Sequence, residues 1–171
     1  MSKNIRKELM GWILIIVIAV IVAVFINKVV IIKVKIPSGS MNDTIMVGDK
    51  VITFRLAYLF NEPKRGDIIV FPFPDNENEN YIKRIIGLPG EKIEGINGLV
   101  YIDGEPLEES YVKETLDDDF GPYEVPKGCY FMMGDNRNDS ADSRFWSDKF
   151  LHRKKILGKA ILKYPKLKVL K

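Results

Sequence analysis

Two serines separated by a single glycine stand in a short polar stretch that directly follows an apolar run. The stretch is Ile36-Pro37-Ser38-Gly39-Ser40-Met41-Asn42-Asp43-Thr44-Ile45. Gly39 permits a tight turn and leaves space beside it, so a hydroxyl at this point can face an open groove. A serine hydroxyl becomes a nucleophile only when a neighbouring base takes its proton. Taken alone, Ser-Gly-Ser is more typical of a polar turn, so the base has to be sought elsewhere in the chain.

Lysine is the base that the composition favours. The chain has one histidine, His152, which lies beside the basic residues 153–155 with no carboxylate nearby in sequence, and this argues against a Ser-His-Asp triad. Lys83 lies on the predicted strand 81–86, where alternation gives it apolar neighbours on its own face. Desolvation that moves a lysine pKa from about 10.4 to about 8 costs roughly 3 kcal/mol of folding free energy. A solvated lysine on an edge strand is the alternative interpretation of this segment alone.

Metal and thiol chemistry have little support in the composition. The chain has one histidine and one cysteine, too few for the usual zinc sites. Residues 135–140 resemble a calcium loop only superficially, because Arg137 occupies the third ligand position and Trp146 the twelfth. Cys129 lies in an apolar run and is expected to be a buried packing residue. We therefore expect no metal site and no cofactor.

The elements that must position Ser40 and Lys83 are mostly short strands. Runs of β-branched and aromatic residues, interrupted by Gly and Pro, predict an antiparallel sandwich or barrel. We expect a catalytic β core from residues 33–90 and 124–171, and a small, peripheral β subdomain from the insertion 91–123, which is rich in Glu, Asp and Gly. Residues 75–80 are polar enough to predict a surface loop.

An apolar run near the N-terminus predicts a transmembrane anchor. Residues 9–26 are uncharged and residues 29–32 extend the run, which fits the roughly 20 residues that a spanning helix needs. A cleavable signal peptide would have a shorter core and a small-x-small site, which is not found around Ala23. We therefore predict an uncleaved span at residues 9–32 of the cell membrane. Lys3, Arg6 and Lys7 predict that residues 1–8 are cytoplasmic and that the catalytic domain is extracellular.

The C-terminal segment is strongly basic, although the net charge of the chain is only +3. After Asp148 there is no acidic residue, and contact with anionic lipid headgroups or a plain solvated surface would both explain this. We expect the lipid bilayer as a partner and no nucleic acid. Residues 55–60 carry large apolar side chains, for which core packing is the default interpretation and contact with the bilayer the alternative.

Five short motifs occur in order along the outer part of the chain. They are residues 37–41 (Pro-Ser-Gly-Ser-Met), 47–49 (Val-Gly-Asp), 65–71 (Arg-Gly-Asp-Ile-Ile-Val-Phe), 81–91 (Tyr-Ile-Lys-Arg-Ile-Ile-Gly-Leu-Pro-Gly-Glu) and 133–144, which begins Met-Gly-Asp-Asn-Arg. Behind an N-terminal anchor, they resemble the type I signal peptidases in their Gram-positive, single-span form. These are membrane-anchored serine proteases that remove signal peptides from exported proteins.

The resemblance implies a Ser-Lys dyad that works through an acyl-enzyme. Ser40 would be the nucleophile and Lys83 the general base, while the Ser40 N–H and the Ser38 hydroxyl would hold the oxyanion. Further residues would support this dyad: Ser140, which would orient the Lys83 amine, the pair of Asp142 and Arg144, and Asp135 and Arg137 in a similar role.

The resemblance also implies the substrate and its mode of binding. The extended end of a preprotein signal peptide would add as a strand to a sheet edge, with small side chains entering shallow apolar pockets. The matching positions, each also compatible with plain core packing, are Ile36, Met41, Ile45, Val51, Val70, Tyr81 and Ile82.

The chain departs from the family pattern beside the nucleophile. Asn42-Asp43 stands where the family usually has a residue followed by proline, Asp139 replaces an asparagine, and Ser147 stands where glycine is common. General secretion and dedicated processing of pilin subunits, with secretion or pilus-assembly components as partners, both remain compatible with the motifs. The alternative from another class is a non-proteolytic anchored accessory that binds exported subunits, and the intact Ser40 and Lys83 argue against it.

Overall fold

A long helix precedes a body that is built from antiparallel strands. The computed structural model describes residues 3–165 and 167–170, in which helix α1 spans Lys3–Phe25 and a π-helical segment continues over Ile26–Val30. The stretch Arg6–Val30 is long and apolar enough to cross a membrane. Every residue from 6 to 29 is exposed. Ile31 and Ile32, which the sequence predicts as the end of the span, are instead the first residues of a strand.

The strands of the described residues form two sheets. In chain order they are β1 Ile31–Lys35, β2 Lys50–Phe54, β3 Ile68–Phe73, β4 Asn76–Gly87, β5 Lys92–Ile96, β6 Leu99–Ile102, β7 Glu105–Pro106, β8 Phe120–Glu124, β9 Cys129–Met133, β10 Leu151–His152, β11 Gly158–Tyr164 and β12 Lys168–Val169. The main sheet has the order β1-β2-β11-β3-β4-β9-β10, with β12 beside β11. The smaller sheet has the order β7-β6-β5-β8. The fold is therefore mostly antiparallel β, with one N-terminal apolar helix.

The smaller sheet is formed by residues of the acidic insertion and packs against the main sheet. Ile93 and Val100 from the smaller sheet share a buried apolar cluster with Phe131 and Met133 of β9. This cluster holds the insertion close to β9, the strand that leads directly into residues 134–144.

Strand β4 is the element that carries Lys83 into the body of the protein. Its residues pair with β3 from Arg84 to Asn76, and with β9 only from Arg84 onward. Tyr81 and Ile85 belong to one apolar cluster and Ile82 to another, which is the alternation that the sequence predicts around Lys83.

One sequence-based expectation about secondary structure is wrong. Residues 76–80 are the first part of β4 and not a loop, because a hairpin with β3 needs only backbone pairing and leaves their polar side chains exposed.

The basic C-terminal segment contributes β11, which lies between β2 and β3, and its Lys159 and Lys163 pair with Asp67 and Asp49.

The apolar stretch 55–60 is partly packed against the core and partly exposed. Tyr58 packs against the core, whereas Leu59 and Phe60 are exposed. The backbone N–H of Arg55 donates a hydrogen bond to the carbonyl of Val30, so this stretch begins beside the end of the helical segment.

Candidate active site

Ser40 lies at the start of a tight turn that follows β1. The turn is closed by hydrogen bonds from Asn42 N–H to Gly39 O at 2.9 Å and from Ile45 N–H to Met41 O at 2.7 Å. Met41 and Ile45 are fully buried and fix the turn to the core. The space beside Gly39 is occupied by the Asn42 side chain, since a Cβ at position 39 would lie 2.8 Å from Asn42 Nδ2.

Lys83 reaches Ser40 from the neighbouring strand. Its Nζ lies 2.6 Å from Ser40 Oγ, within hydrogen-bond distance. The lysine is 3% exposed, and this burial lowers its pKa to about 8, against the opposing attraction of the Asp142 and Asp135 carboxylates. The Tyr81 ring lies beside the amine, with its centroid 5.1 Å from Nζ. A lysine with such a pKa is partly neutral near pH 7 to 8 and can accept the serine proton.

An open cleft of about 510 Å³ contains both groups. One wall is formed by residues 37–40, a second by residues 79–83 of β4, and the remainder by Asp139 and Ala141. Ser38 is exposed on the first wall, and its hydroxyl makes no hydrogen bond to the described residues. Because β9 pairs with β4 only from Arg84 onward, the edge of β4 at residues 79–83 has no strand partner among the described residues. An extended peptide could therefore pair with this edge beside Ser40.

The loop 134–144 holds the backbone of the nucleophile turn. Asn136 donates from its backbone N–H to Ser40 O at 3.1 Å and from its side-chain amide to Gly39 O at 3.0 Å. Gly134 lies against the same carbonyl of Ser40, so closely that a Cβ at this position would overlap it and Ser140. Only glycine fits there, and the loop thus fixes the position of Ser40.

Asp135 pairs with Arg84 and not with Arg137. Its two carboxylate oxygens accept from Arg84 Nε at 2.8 Å and Nη2 at 2.6 Å, and one of them also accepts from Thr44 Oγ1 at 2.5 Å. Asp135 and Arg137 therefore do not pair with each other as Asp142 and Arg144 do, because Arg137 contacts Glu109 and the carbonyl of Gly134. Arg84 follows Lys83 directly, so Asp135 connects the strand of the base with the turn of the nucleophile.

Asp142 and Arg144 form the ion pair that the resemblance implies. Arg144 Nε and Nη2 lie 2.8 and 2.9 Å from the two oxygens of Asp142, which also accepts the N–H of Gly134 at 3.0 Å. Ser140 differs from its expected role. Its buried hydroxyl has no hydrogen-bond partner among the described residues, so the expected contact with the Lys83 amine is not formed.

The expected substrate-binding positions lie mostly beneath the cleft. Tyr81 and Ile82 do line it. The others belong to one buried apolar cluster and are not among the lining residues, because their side chains point into the core: Ile36, Met41, Ile45, Val51 and Val70.

Several residues of the site were not identified from the sequence. Glu79 and Asn80 line the cleft on the strand of Lys83, and Glu79 would have been found by following the alternation back from Lys83 through Tyr81. Asn136, Thr44 and Arg84 give no such local signal, since their roles depend on contacts between distant parts of the chain. Among the described residues, no group of three or more His, Cys, Asp or Glu side chains could hold a metal ion.

Comparisons with known proteins agree on one family. A model of the family described as "Signal peptidase, peptidase S26" matches residues 9–165. Signal peptidase I of Leptolyngbya laminosa is 43% identical over 136 residues, which cover 75% of this chain and 66% of that protein, so the match spans just under two thirds of that relative. Signal peptidase I of Bacillus licheniformis is 36% identical over 153 residues, which cover 84% of this chain and 82% of that protein.

A solved structure is similar as well. The crystal structure of a signal peptidase I from Enterococcus faecalis V583 has 37% sequence identity and a TM-score of 0.51, and the match covers 58% of this chain and 97% of that one. The likeness therefore extends from the sequence to the arrangement of strands.

Proposed function

The chain belongs to the signal peptidase family, peptidase S26, which places it among the serine endopeptidases, and we propose that it removes signal peptides with Ser40 as nucleophile and Lys83 as general base. The observation that carries the proposal is the 2.6 Å distance between Lys83 Nζ and Ser40 Oγ in an open cleft. The lone histidine, His152, contacts Cys129 and does not line this cleft.

The proposed reaction begins with proton transfer from Ser40 Oγ to the neutral amine of Lys83. Oγ attacks the carbonyl carbon of the scissile bond, and Lys83 then gives the proton to the leaving amine, so that an acyl-enzyme remains on Ser40. Lys83 next takes a proton from water, whose oxygen attacks the ester. The signal peptide is released, and Lys83 returns the proton to Ser40 Oγ. Burial of Lys83 supports this role, because it lowers the pKa of the amine to about 8 and keeps part of the population neutral.

Oxyanion stabilisation is assigned to the backbone N–H of Ser40 and the hydroxyl of Ser38. Ser38 supports this assignment because its exposed hydroxyl stands on the cleft wall and makes no competing hydrogen bond to the described residues. Loss of one oxyanion donor typically costs about 3 kcal/mol of transition-state stabilisation.

The substrate is proposed to bind as an added strand along residues 79–83 of β4. Tyr81 and Ile82 give this part of the cleft an apolar surface, which suits small side chains before the cut. The same groove would serve exported proteins in general or a dedicated subset such as pilin subunits. Sequencing the N-termini of secreted proteins from cells with and without the enzyme would separate these two substrate sets.

The helical stretch Arg6–Val30 is proposed to anchor the enzyme as a single span, with the N-terminus in the cytoplasm and the cleft outside. Arg6 and Lys7 before the apolar stretch support this orientation, because positive flanks are retained in the cytoplasm. A protease-protection assay on inverted membrane vesicles would test this orientation. The β body should be protected from added protease while the vesicles are closed and digested after they are opened with detergent.

Cleavage of a preprotein with an Ala-x-Ala site tests the proposed chemistry. Ser40→Ala and Lys83→Ala should each lower kcat by about a thousandfold or more, because either change removes the activated nucleophile. The exposed Ser147 and Lys127 provide matched controls, and Ser147→Ala and Lys127→Ala should cleave like the wild type. Equal cleavage by Ser40→Ala, Lys83→Ala and the wild type would refute the assignment of Ser40 and Lys83, whereas no cleavage by any of the three would favour a non-proteolytic accessory.

A further inference from the structure

A segment of the insertion lies against the loop that holds the nucleophile. We name residues 107–117, between β7 and β8, the brace segment. Asn138 of the loop donates to Thr115 O at 2.9 Å, and its Oδ1 accepts the N–H of Asp117 at 3.1 Å. Arg137 Nη2 donates to Glu109 Oε1 at 2.5 Å. The insertion is therefore connected to the catalytic core by side chains as well as by the apolar cluster.

A second contact of the brace segment reaches the strand of the base. The Tyr111 ring covers the guanidinium of Arg84, with the Arg84 Cζ 3.9 Å from the ring centroid. The Tyr111 hydroxyl donates to Glu109 Oε1 at 2.5 Å, and burial together with the Glu109 charge raises the pKa of this tyrosine well above its usual value. Tyr111 is therefore a neutral hydrogen-bond donor near neutral pH. Glu109 contacts Arg137, and Tyr111 contacts Arg84.

Four buried charged side chains lie where the brace segment meets the catalytic core, and we call this place the junction. The exposed fractions are 2% for Arg84 and 1% for Asp135, and 2% for Arg137 and 8% for Glu109. A buried charge requires a counter-ion at a fixed position, and removing one partner is strongly destabilising to the local structure. Glu109 supplies the counter-ion of Arg137, while Asp135 supplies that of Arg84.

The junction is connected to the reacting groups by short paths. Arg137 Nε donates to Gly134 O at 3.1 Å, and Gly134 lies against the carbonyl of Ser40. Arg84 is the residue after Lys83, and its partner Asp135 accepts from Thr44 in the turn of the nucleophile. A shift of either arginine would therefore displace Ser40 and Lys83 relative to each other.

We propose that Glu109 and Tyr111 of the insertion are positioning residues for catalysis, which hold Arg137 and Arg84 so that Ser40 and Lys83 keep their reactive distance. The inference rests on the proposed function of this dyad. Neither residue lines the cleft, so their effect is expected in kcat and not in KM. Displacements of about 1 Å can cost up to about a hundredfold in rate.

The test compares Glu109→Gln, Tyr111→Leu and Tyr111→Phe with the wild type in cleavage of a preprotein, with kcat and KM determined separately. Glu109→Gln removes the counter-ion but keeps the shape, and should lower kcat about tenfold or more at an unchanged KM. Tyr111→Leu removes the ring over Arg84 and should act in the same way. Tyr111→Phe keeps the ring and should restore most of the activity. Glu108→Gln, which changes the exposed neighbouring carboxylate, is the matched control and should behave as the wild type.

Rates are measured at a temperature at which each variant is fully folded by circular dichroism. If Glu109→Gln does not fold, the Tyr111→Leu and Tyr111→Phe pair still decides the question. Wild-type kcat in both Glu109→Gln and Tyr111→Leu, or an equal loss in Tyr111→Phe and Tyr111→Leu, would overturn the inference. Failure of the proposed function is distinguishable, because Ser40→Ala would then cleave as fast as the wild type, before any variant of the brace segment is compared.

Discussion

Replacing Lys83 with methionine should stabilise the fold while it abolishes cleavage. Burial lowers the pKa of Lys83 from 10.5 to about 8, so the unfolded chain binds this proton more tightly than the folded protein. The penalty for folding is complete below pH 8 and disappears as the pH rises through 10.5. Methionine has a similar length and no charge, so the variant avoids this penalty.

The expected gain follows from the size of the pKa shift. A lowering by about 2.5 pH units corresponds to roughly 3 kcal/mol at pH 7. Loss of the hydrogen bond to Ser40 offsets about 1 kcal/mol of this. We therefore expect Lys83→Met to unfold with a free energy about 2 kcal/mol higher than the wild type at pH 7, and about equal to it at pH 10.

Guanidinium unfolding in detergent micelles, followed by tryptophan fluorescence, measures this difference. Trp146 is buried in the core and reports unfolding, and a Trp12→Phe background removes the signal of the anchor. Lys163→Met is the matched control: Lys163 is also buried but lies 3.5 Å from Asp49, and its replacement should give no gain. A Lys83→Met protein that is less stable at pH 7, or whose difference from the wild type is the same at pH 7 and 10, would refute the reasoning.

Three further predictions concern the base, the turn and the buried charges. The kcat/KM for a peptide substrate should rise about tenfold from pH 7 to pH 9, because the neutral fraction of Lys83, whose pKa is about 8, rises in this range. A pH–rate profile with its midpoint near pH 6.5 would instead indicate a histidine as the base. Asp43→Pro should lower the midpoint temperature of thermal unfolding, because φ of Asp43 is 70° and proline requires about −65°. The expected loss in the free energy of unfolding is about 2 kcal/mol or more. Asp43→Gly should leave this midpoint unchanged or raise it, since glycine adopts a positive φ without strain. Asp135→Asn removes the carboxylate charge that Arg84 faces and should cost about 3 kcal/mol in denaturant unfolding, whereas Asp139→Asn on the exposed side of the loop should cost little.

The sequence was sufficient for the class of the fold and for the alternation around Lys83. β-branched runs between Gly and Pro indicated antiparallel strands, and period-two alternation placed Lys83 on the face of Tyr81 and Ile85. Both patterns are local, since they depend on residues within one strand. Residues 76–80 could not be predicted in this way. They pair with β3 in a hairpin through their backbone, and their side chains are all polar, without the alternation of apolar and polar residues that indicates a strand.

The partners of the charged residues could not be predicted in the same way. Asp135 and Arg137 are close in sequence, but Asp135 pairs with Arg84 and Arg137 with Glu109, through contacts that only the folded chain creates. The positions matched to substrate binding show a related difficulty. Val51 and Val70 lie one layer beneath the cleft, and a motif does not distinguish residues that line a groove from those that support it.

The direct passage from the helical segment into β1 limits the reach of the enzyme. Only residues 31–39 separate Val30 from Ser40, and all five residues of β1 pair with β2, so no flexible spacer intervenes. Even ten fully extended residues span at most about 35 Å. With the helix in a bilayer, Ser40 would lie at a nearly constant distance from the membrane surface. An exported chain would then be cut where its own extended segment reaches that distance, so the length of its membrane-embedded part would help to select the bond.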